Sequence, residues 1–495
     1  PDQAEAVKRI LGVARGRPRR PLVLRSHRGR GKSSALGIAA ARVLAEGLGD
    51  VWVTAPRREA VNALFDHAAE QPGIRTSESG ELVCGDTRLR FLPPDVLLDR
   101  RPPARLLLVD EAAALPAPML EALFRVCPRA VFATTQHGYE GTGRGFAVRF
   151  EPRLEQMAAS VRRLTLTTPI RWAADDPLEA LIDRLLLLDA EPAPAEALDP
   201  AAAVHVGPAD PRDLIRDEAL LGELFGLLVS AHYRTTPRDL RQLLDVPGTT
   251  VWAATSAGQV LATAVTQDEG GLDPALGEAV FAGERRVRGH LLPQTMAAHA
   301  GEPGWTGLRG RRIQRIAVYP DRRRSGLGSQ LVKAIASQAR DDGLDFVGAS
   351  FGADPELIAF WQAQDMAILH LGQQRDHASG HRALVMARGL SPRGTTSVSG
   401  STRRFADTLP TLAAGPLRTA DPFLLADLLT AWPDARPPLT ATQWRQVEAC
   451  AYRRHHLDAA LPSLRILLST VMGLPAIRAA LPATDRALLV ARFLQ

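Results

Sequence analysis

Apolar residues follow two rhythms along the first 190 positions. Short unbroken runs at Leu22–Leu24, Val51–Val53, Leu106–Val109 and Ala130–Ala133 read as strands, as does the short stretch Leu89–Leu92, which Arg90 interrupts. Between them, apolar positions recur at helical spacing over 4–14 (Val7, Ile10 and Leu11 on one face), 35–39, 59–69 and 176–188. Unbroken apolar strands alternating with helices predict a parallel sheet covered on both faces. From 200 to 390 the pattern changes. Helices are expected at 213–230 and 238–244, then a hairpin of 250–255 and 260–265 around a turn at 256–259. An alternating strand 312–319 leads through Pro320 and a glycine-punctuated turn into a helix over 330–339. A strand at 345–350 follows. Beyond 402 the chain reads as helical, at 405–414 with a break at Pro410, then 423–431, 442–452 and 458–474.

Two stretches interrupt these rhythms. The Pro/Ala segment 190–197 and the Ser/Gly/Thr segment 391–402 read as flexible linkers. They set expected domains at 1–190, 200–390 and 402–495, in keeping with a chain of 495 residues, too long for one core. The expected class is α/β throughout the first unit, α+β in the second and mostly α in the tail. No apolar run reaches the ~18–20 residues of a membrane span. The first residues resemble no targeting signal, and the absence of an initiator Met suggests a start inside a longer protein. Cys84, Cys127 and Cys450 stand apart from one another and from histidine, so neither a disulfide framework nor a zinc site is expected, and a reducing cytoplasm fits. The net charge of +6 leans mildly towards a polyanionic partner.

Composition sharpens one stretch. Of 60 basic residues, lysine occurs only at Lys8, Lys32 and Lys333. Lys32 closes Arg25-Ser26-His27-Arg28-Gly29-Arg30-Gly31-Lys32-Ser33-Ser34, between an apolar strand and a helix. That context makes a phosphate loop: glycines let successive N–H groups face phosphate oxygens, and the helix dipole favours the same anion. Lys32 would reach the β/γ-phosphates and Ser33 would ligate Mg²⁺. Ser26 departs from the glycine usual at the first position of such a loop. Asp110 and Glu111 follow the strand 106–109, where a parallel sheet binds ligands; Asp110 is expected on Mg²⁺ and Glu111 on the attacking water. The glycine-rich segment 136–146 reads as a contact loop, and Arg171 as a candidate arginine finger.

The second unit repeats the physics. Arg323-Arg324-Ser325-Gly326-Leu327-Gly328-Ser329, between a strand and a helix, again offers N–H groups to a phosphate. Its spacing resembles the pyrophosphate loop of GNAT acetyltransferases, which grips coenzyme A. Upstream, Arg285, Arg286 and Arg288 suit nucleic-acid phosphates, and His290 is a candidate acceptor for an amine proton. In the tail, Arg445, Arg453, Arg454, His455 and His456 form a candidate RNA-backbone surface.

Taken together, Arg28–Ser33, Val109–Ala112, Gly138–Gly145, Pro169–Trp172, Val287–His290 and Arg315–Val318 resemble the tRNA(Met) cytidine acetyltransferase family over essentially the whole chain. The resemblance implies a P-loop RecA-like (helicase-like) domain, a GNAT domain and a helical tRNA-binding tail. It implies N4-acetylcytidine formed at the wobble position of the anticodon of tRNA(Met), the elongator species, from acetyl-CoA with hydrolysis of ATP or GTP. Neither a membrane nor an obligate protein partner is expected. By position, the nucleotide contacts would be Gln3, 25–34 and Arg171, and the acetyl-CoA contacts Ile316, Ala317, Val318, 323–329 and Glu356. Ala363 departs from the basic residue that the family often carries seven positions after that glutamate. Family members also carry a further N-terminal domain, which implies a truncated chain or a shorter subtype. Two other classes stay open: a nucleic-acid-remodelling ATPase whose second domain senses acetyl-CoA, and a nucleotide-regulated protein or small-molecule acetyltransferase.

Overall fold

The structure is a computed structural model, and it describes residues 2–78, 80–135, 146, 150–194, 202–231, 237–376, 380–429 and 439–495. The first sheet has eight strands: β1 Leu22–Ser26, β2 Val51–Thr54, β3 Arg75–Thr76, β4 Leu82–Cys84, β5 Thr87–Phe91, β6 Leu106–Val109, β7 Ala130–Thr135 and β8 Arg162–Leu166. Their order is β3-β4-β5-β2-β6-β7-β1-β8, parallel from β5 to β8 with an antiparallel edge at β3 and β4.

The unbroken apolar runs follow from two-sided burial. Leu22 and Leu24 of β1, with Leu106 and Leu108 of β6, pack with Ile10, Leu36 and Leu44 of the helices Asp2–Arg15 and Lys32–Ala45. The alternate residues Val23, Leu107 and Val109 pack instead with Phe124, Phe132 and Phe150. Strand side chains alternate faces, so a strand covered on both sides has no polar position to offer. The edge strand β8 escapes sequence reading for the converse reason, because Arg162, Arg163 and Thr165 are exposed.

The second sheet contains β9 His205–Ala209, β10 Thr249–Ser256, β11 Gln259–Gly270, β12 Arg309–Val318, β13 Phe346–Gly352, β14 Ala367–Arg375 and β15 Arg382–Gly389. Its order is β14-β15-β13-β12-β11-β10-β9, with β12 and β13 parallel. The expected hairpin turn is two residues, Ala257 and Gly258, both at positive φ (49° and 82°), the geometry that matches strand twist.

Compact units formed by the chain are residues 1–265 with 315–331 and 376–380, and residues 266–314 with 332–375 and 381–495. Both expected linkers are corrected. Pro192 and Ala193 are buried, and Glu191 lies so close to the helix Glu218–Ala231 that a Cβ at Gly226 would meet its main chain at 2.4 Å. Residues 195–197 of that segment lie outside the described residues. The stretch 391–402 is not a flexible linker but the start of a 23-residue helix, Pro392–Ala414. Ser391 caps it by accepting from the Gly394 N–H at 3.0 Å, and Pro392 sits where its missing N–H costs nothing. Val398 packs with Trp305 and Phe346, while Ser401 accepts from Trp305 Nε1 at 2.8 Å. Packing therefore overrides a composition that favours a flexible chain. The helix also runs through Pro410, the expected break.

Among the described residues no helix is long and apolar enough to cross a membrane. The buried His370 of β14 stacks on His299 with ring centroids 6.5 Å apart. Burial, with the charge of His299 beside it, pushes His370 down from 6.5 to about 4. Between those values the unfolded chain binds more protons than the native one, so stability is complete above pH 6.5 and is lost as pH falls towards 4. This accounts for about 3 kcal/mol, and in His370→Gln the fall in melting temperature across pH 6.5 to 4 should be smaller than in the parent chain.

Candidate functional site

The phosphate loop is assembled from strand ends and held by residues far away in sequence. At the end of β1, residues His27–Gly31 turn into the helix Lys32–Ala45, with Gly29 and Gly31 at φ 72° and 77°. Parallel pairing of β1 with β7 sets Ser26 opposite Thr135. Lys32 Nζ donates to both hydroxyls, at 3.1 Å to Ser26 Oγ and 3.0 Å to Thr135 Oγ1. The residue that departs from the usual glycine thus orients the lysine. Ser33 Oγ donates to Asp110 Oδ2 at 2.8 Å, joining the helix start to the end of β6. Asp110 is buried, and its Oδ1 accepts the Glu111 N–H at 2.9 Å. Glu111 holds φ 49°, a left-handed conformation costing roughly 1 kcal/mol or more in a residue with a side chain.

A cover lies on the loop from residues 167–179. Arg30 donates to Glu179 through two nitrogens, at 2.8 and 3.0 Å, and its Nε donates to the Thr167 carbonyl at 3.0 Å. Trp172 Nε1 donates to the same carboxylate at 2.8 Å. Those bonds, the Arg30 guanidinium first, hold Glu179 below the usual carboxylate range. The indole packs so tightly that a Cβ at Gly29 would meet it at 2.4 Å. Gln3 donates to the carbonyls of Arg30 and Thr168 at 3.2 and 3.0 Å. Asp2 accepts from the Thr167 and Thr168 N–H groups and the Thr168 hydroxyl, and these bonds hold its carboxyl far below the ordinary range.

Gln3, Ser26, Gly29–Ser33 and Asp110 are therefore connected through one network. Arg25 is diverted, its side chain pairing with the buried Glu151 that also accepts from Arg163 at 3.1 Å. His27 and Ser34 are half-buried, and Arg28 and Arg171 exposed. Arg171, between the two covering side chains Ile170 and Trp172, makes no hydrogen bond or ion pair among the described residues. Sequence reading assigned no site role to Thr135, Trp172 or Glu179; only their contacts with the loop give them one. The expected contact loop 136–146 lies outside the described residues except for Phe146.

The second expected phosphate loop has the required backbone. After β12, Tyr319 donates its N–H to the Leu261 carbonyl at 2.8 Å, and Pro320–Arg322 makes a single turn. Arg324 and Gly326 both take positive φ (61° and 88°), and the first bond of the helix Leu327–Asp341 is from Gln330 N–H to Gly326, at 3.0 Å. The first-turn N–H groups of Leu327 and Gly328 precede that bond. Arg323 and Arg324 are exposed, Ser325 donates to the Arg322 carbonyl, and Ser329 is half-buried. Ala317 is buried between half-buried Ile316 and Val318. Glu356 is exposed in the first turn of the helix Pro355–Gln362, capped by Asp354, and Ala363 ends that helix.

His290 is held through its ring. Its Nδ1 accepts the Gly270 N–H at 2.8 Å, so the neutral ring carries its proton on Nε2. The ring offers a donor where the sequence suggested a proton acceptor. Behind it, the buried Glu269 accepts from Leu292 N–H at 2.9 Å and Arg312 Nε at 2.6 Å. Arg285, Arg286 and Arg288 are exposed, and their guanidiniums are unpaired among the described residues.

Residues 23–189 match the family model "RNA cytidine acetyltransferase NAT10/TcmA, helicase domain", and residues 223–341 match "GNAT acetyltransferase 2". The tRNA(Met) cytidine acetyltransferase TmcA of Nitrosococcus halophilus is 43% identical over 497 residues, covering 100% of this chain and 67% of that protein. The chain belongs to the tRNA(Met) cytidine acetyltransferase family. The enzymes of that name from Haloferax volcanii and Vibrio cholerae are 38% and 40% identical, covering 91% and 78% of this chain. The chain spans 60% and 54% of those two family members. A putative GNAT acetyltransferase structure from Desulfovibrio desulfuricans aligns with 38% of the chain and 100% of its own, at 15% identity and a TM-score of 0.26.

The tight fit of Trp172 yields a prediction. Gly29→Ala, which drives a methyl into the indole and strains a positive φ, should weaken nucleotide binding about tenfold or more and shift tryptophan emission. Equilibrium titration with a fluorescent nucleotide analogue checks both effects.

Proposed function

We propose that the chain acetylates the N4 amine of cytidine at the wobble position of the anticodon of tRNA(Met), the elongator species. Acetyl-CoA is the donor, ATP or GTP is hydrolysed, and the reaction takes place in the cytoplasm. Residues 1–190 would form the nucleotide-hydrolysing domain, 200–390 the acetyltransferase domain and 402–495 the tRNA-binding tail. The observation that supports this reading is the presence on one chain of two turns with positive-φ glycines, each leading into a helix, one with Lys32, Ser33 and Asp110 and one at 323–328.

In the first, the loop N–H groups and Lys32 bind the β- and γ-phosphates, and Glu111 orients the attacking water. Ser33 and Asp110 bring a hydroxyl and a carboxylate together, the hard oxygen donors that Mg²⁺ takes when phosphates complete its shell. Mg²⁺ held there supplies neutralisation of phosphate charge. Arg171, exposed beside the loop, is suited to the charge that develops on the γ-phosphate.

In the second, the 323–329 turn holds the coenzyme pyrophosphate, with Glu356 as a further contact, and the main chain of Ile316–Val318 positions the thioester. The cytosine N4 amine is conjugated with its ring and is a weak nucleophile, so alignment and oxyanion stabilisation must supply most of the acceleration. His290, presenting Nε2–H, is suited to donate to a carbonyl oxygen. Arg285, Arg286 and Arg288 suit RNA phosphates. In the tail, Arg445, Arg453, Arg454, His455 and His456 are exposed together with Trp444 and Tyr452 (44% and 87%), a mixture of charge and aromatic faces that favours RNA over a solvated surface.

Labelled acetyl-CoA, ATP and either bulk tRNA or bulk protein test the reading. Label in N4-acetylcytidine, identified by nucleoside mass spectrometry of the tRNA, is the expected result. Label in protein, or no transfer at all, would favour the two rival classes. Lys32→Ala should reduce nucleotide hydrolysis by on the order of a hundredfold while leaving acetyl-CoA affinity intact, which calorimetry and a phosphate-release assay would measure.

A further inference from the structure

The hairpin of β14 and β15 ends in an arrangement that folding alone does not favour. Arg375 and Arg382 are directly opposite each other across the two strands. Like charges in that position repel. Among the described residues no carboxylate pairs with either guanidinium. Arg382 is only 6% exposed, yet its Nε and Nη1 have no hydrogen-bond partner. Burial, and then the charge of Arg375, pull Arg382 below its ordinary value. An unpaired buried cation is costly, and the natural remedy is an anion from outside.

Both guanidiniums meet at one residue of the loop that follows the helix Pro392–Ala414. Arg375 Nη2 donates to the Thr419 carbonyl, and Arg382 Nη2 to the Thr419 hydroxyl at 3.3 Å. That loop is fixed from behind. The Gln495 amide donates to the carbonyls of Leu417, Arg418 and Ala420 at 3.3, 3.2 and 2.9 Å. Arg375, Arg418 and Thr419 are exposed, so an anion has an approach to the buried guanidinium.

We propose that Arg375, Arg382 and Thr419 form a phosphate-binding site that grips one phosphodiester of the RNA substrate. The inference rests on the function proposed above, which gives the nucleotide phosphates the loop around Lys32 and the coenzyme phosphates the turn at 323–328, and leaves RNA as the remaining polyanion. Guanidiniums pair with phosphate through fixed, directional donors, and the Thr419 hydroxyl adds another polar group beside them. Such a contact positions RNA without reading its sequence.

The test compares the full chain with Arg382→Leu, Arg382→Lys and Arg375→Gln in three measurements: thermal melting, tRNA binding across a salt series, and acetyl-CoA binding. Arg382→Leu removes an unpaired buried charge, so it should melt no lower than the parent chain while binding tRNA about tenfold more weakly. The log–log salt slope should become shallower by about one for each arginine removed, and Arg382→Lys should keep part of the affinity. Acetyl-CoA affinity should not change. A lower melting temperature with unchanged tRNA affinity would make Arg382 structural and overturn the proposal. Weaker acetyl-CoA binding with unchanged tRNA affinity would assign the site to the coenzyme and overturn it too. If the parent chain acetylates tRNA but Arg382→Leu binds it equally well, only this site falls. If the parent chain neither binds nor acetylates tRNA, the proposed function falls with it.

Discussion

The register of β1 between β7 and β8 governs the first domain. It sets Ser26 opposite both Thr135 and Leu166, so a strand that belongs to the core on both faces ends where a polar network begins. Because β6 is the other neighbour of β7, Asp110 comes within reach of Ser33. A slip of one residue would exchange the apolar and polar ends of β1 and separate Lys32 from its two hydroxyls. The site therefore depends on the packing of Leu22 and Leu24 on one side and Val23 on the other as much as on the residues that touch phosphate.

The glycine turn is also held from above. Trp172, Arg30 and Glu179 form a closed set of hydrogen bonds, while Asp2 and Gln3 tie the first helix to the same region. Arg30 and Trp172 thereby connect the loop to 167–179. The stretch that matches the acetyltransferase model, residues 223–341, is a different part of the chain and includes β12 and the turn that follows it.

Much of this was legible in the sequence where the signal is local. The strand, glycine turn and helix around Lys32 lie within some twenty residues, as do those around Gly326, and both turns have the expected backbone. Asp110 was legible because an unbroken apolar strand runs into it. Trp172 and Glu179 were not, since nothing local in a tryptophan or a glutamate tells which distant turn it will cover. The strands β14 and β15 were missed because they carry His370 and Arg382 in buried positions, contrary to the usual pattern. The segment 391–402 was misjudged on its Ser, Gly and Thr content. Its helix depends on Gly394 lying against the Asp345 carbonyl, where a Cβ would approach to 1.7 Å, and on Val398 entering the core. For His290, the ring nitrogen left to face outward depends on the Gly270 N–H, which sequence spacing does not reveal.

We propose that the phosphate loop drives exposure of a stacked base rather than the acyl transfer itself, since unstacking a base costs a few kcal/mol while the transfer rests on alignment and oxyanion stabilisation. The most direct measurement is acetylation by Asp110→Asn of two substrates, folded tRNA(Met) and a short unstructured RNA with the same anticodon sequence. The account predicts that the variant, defective in nucleotide hydrolysis, loses acetylation of the folded tRNA but retains it on the unstructured RNA. Equal loss on both substrates, or no loss on folded tRNA, would contradict it.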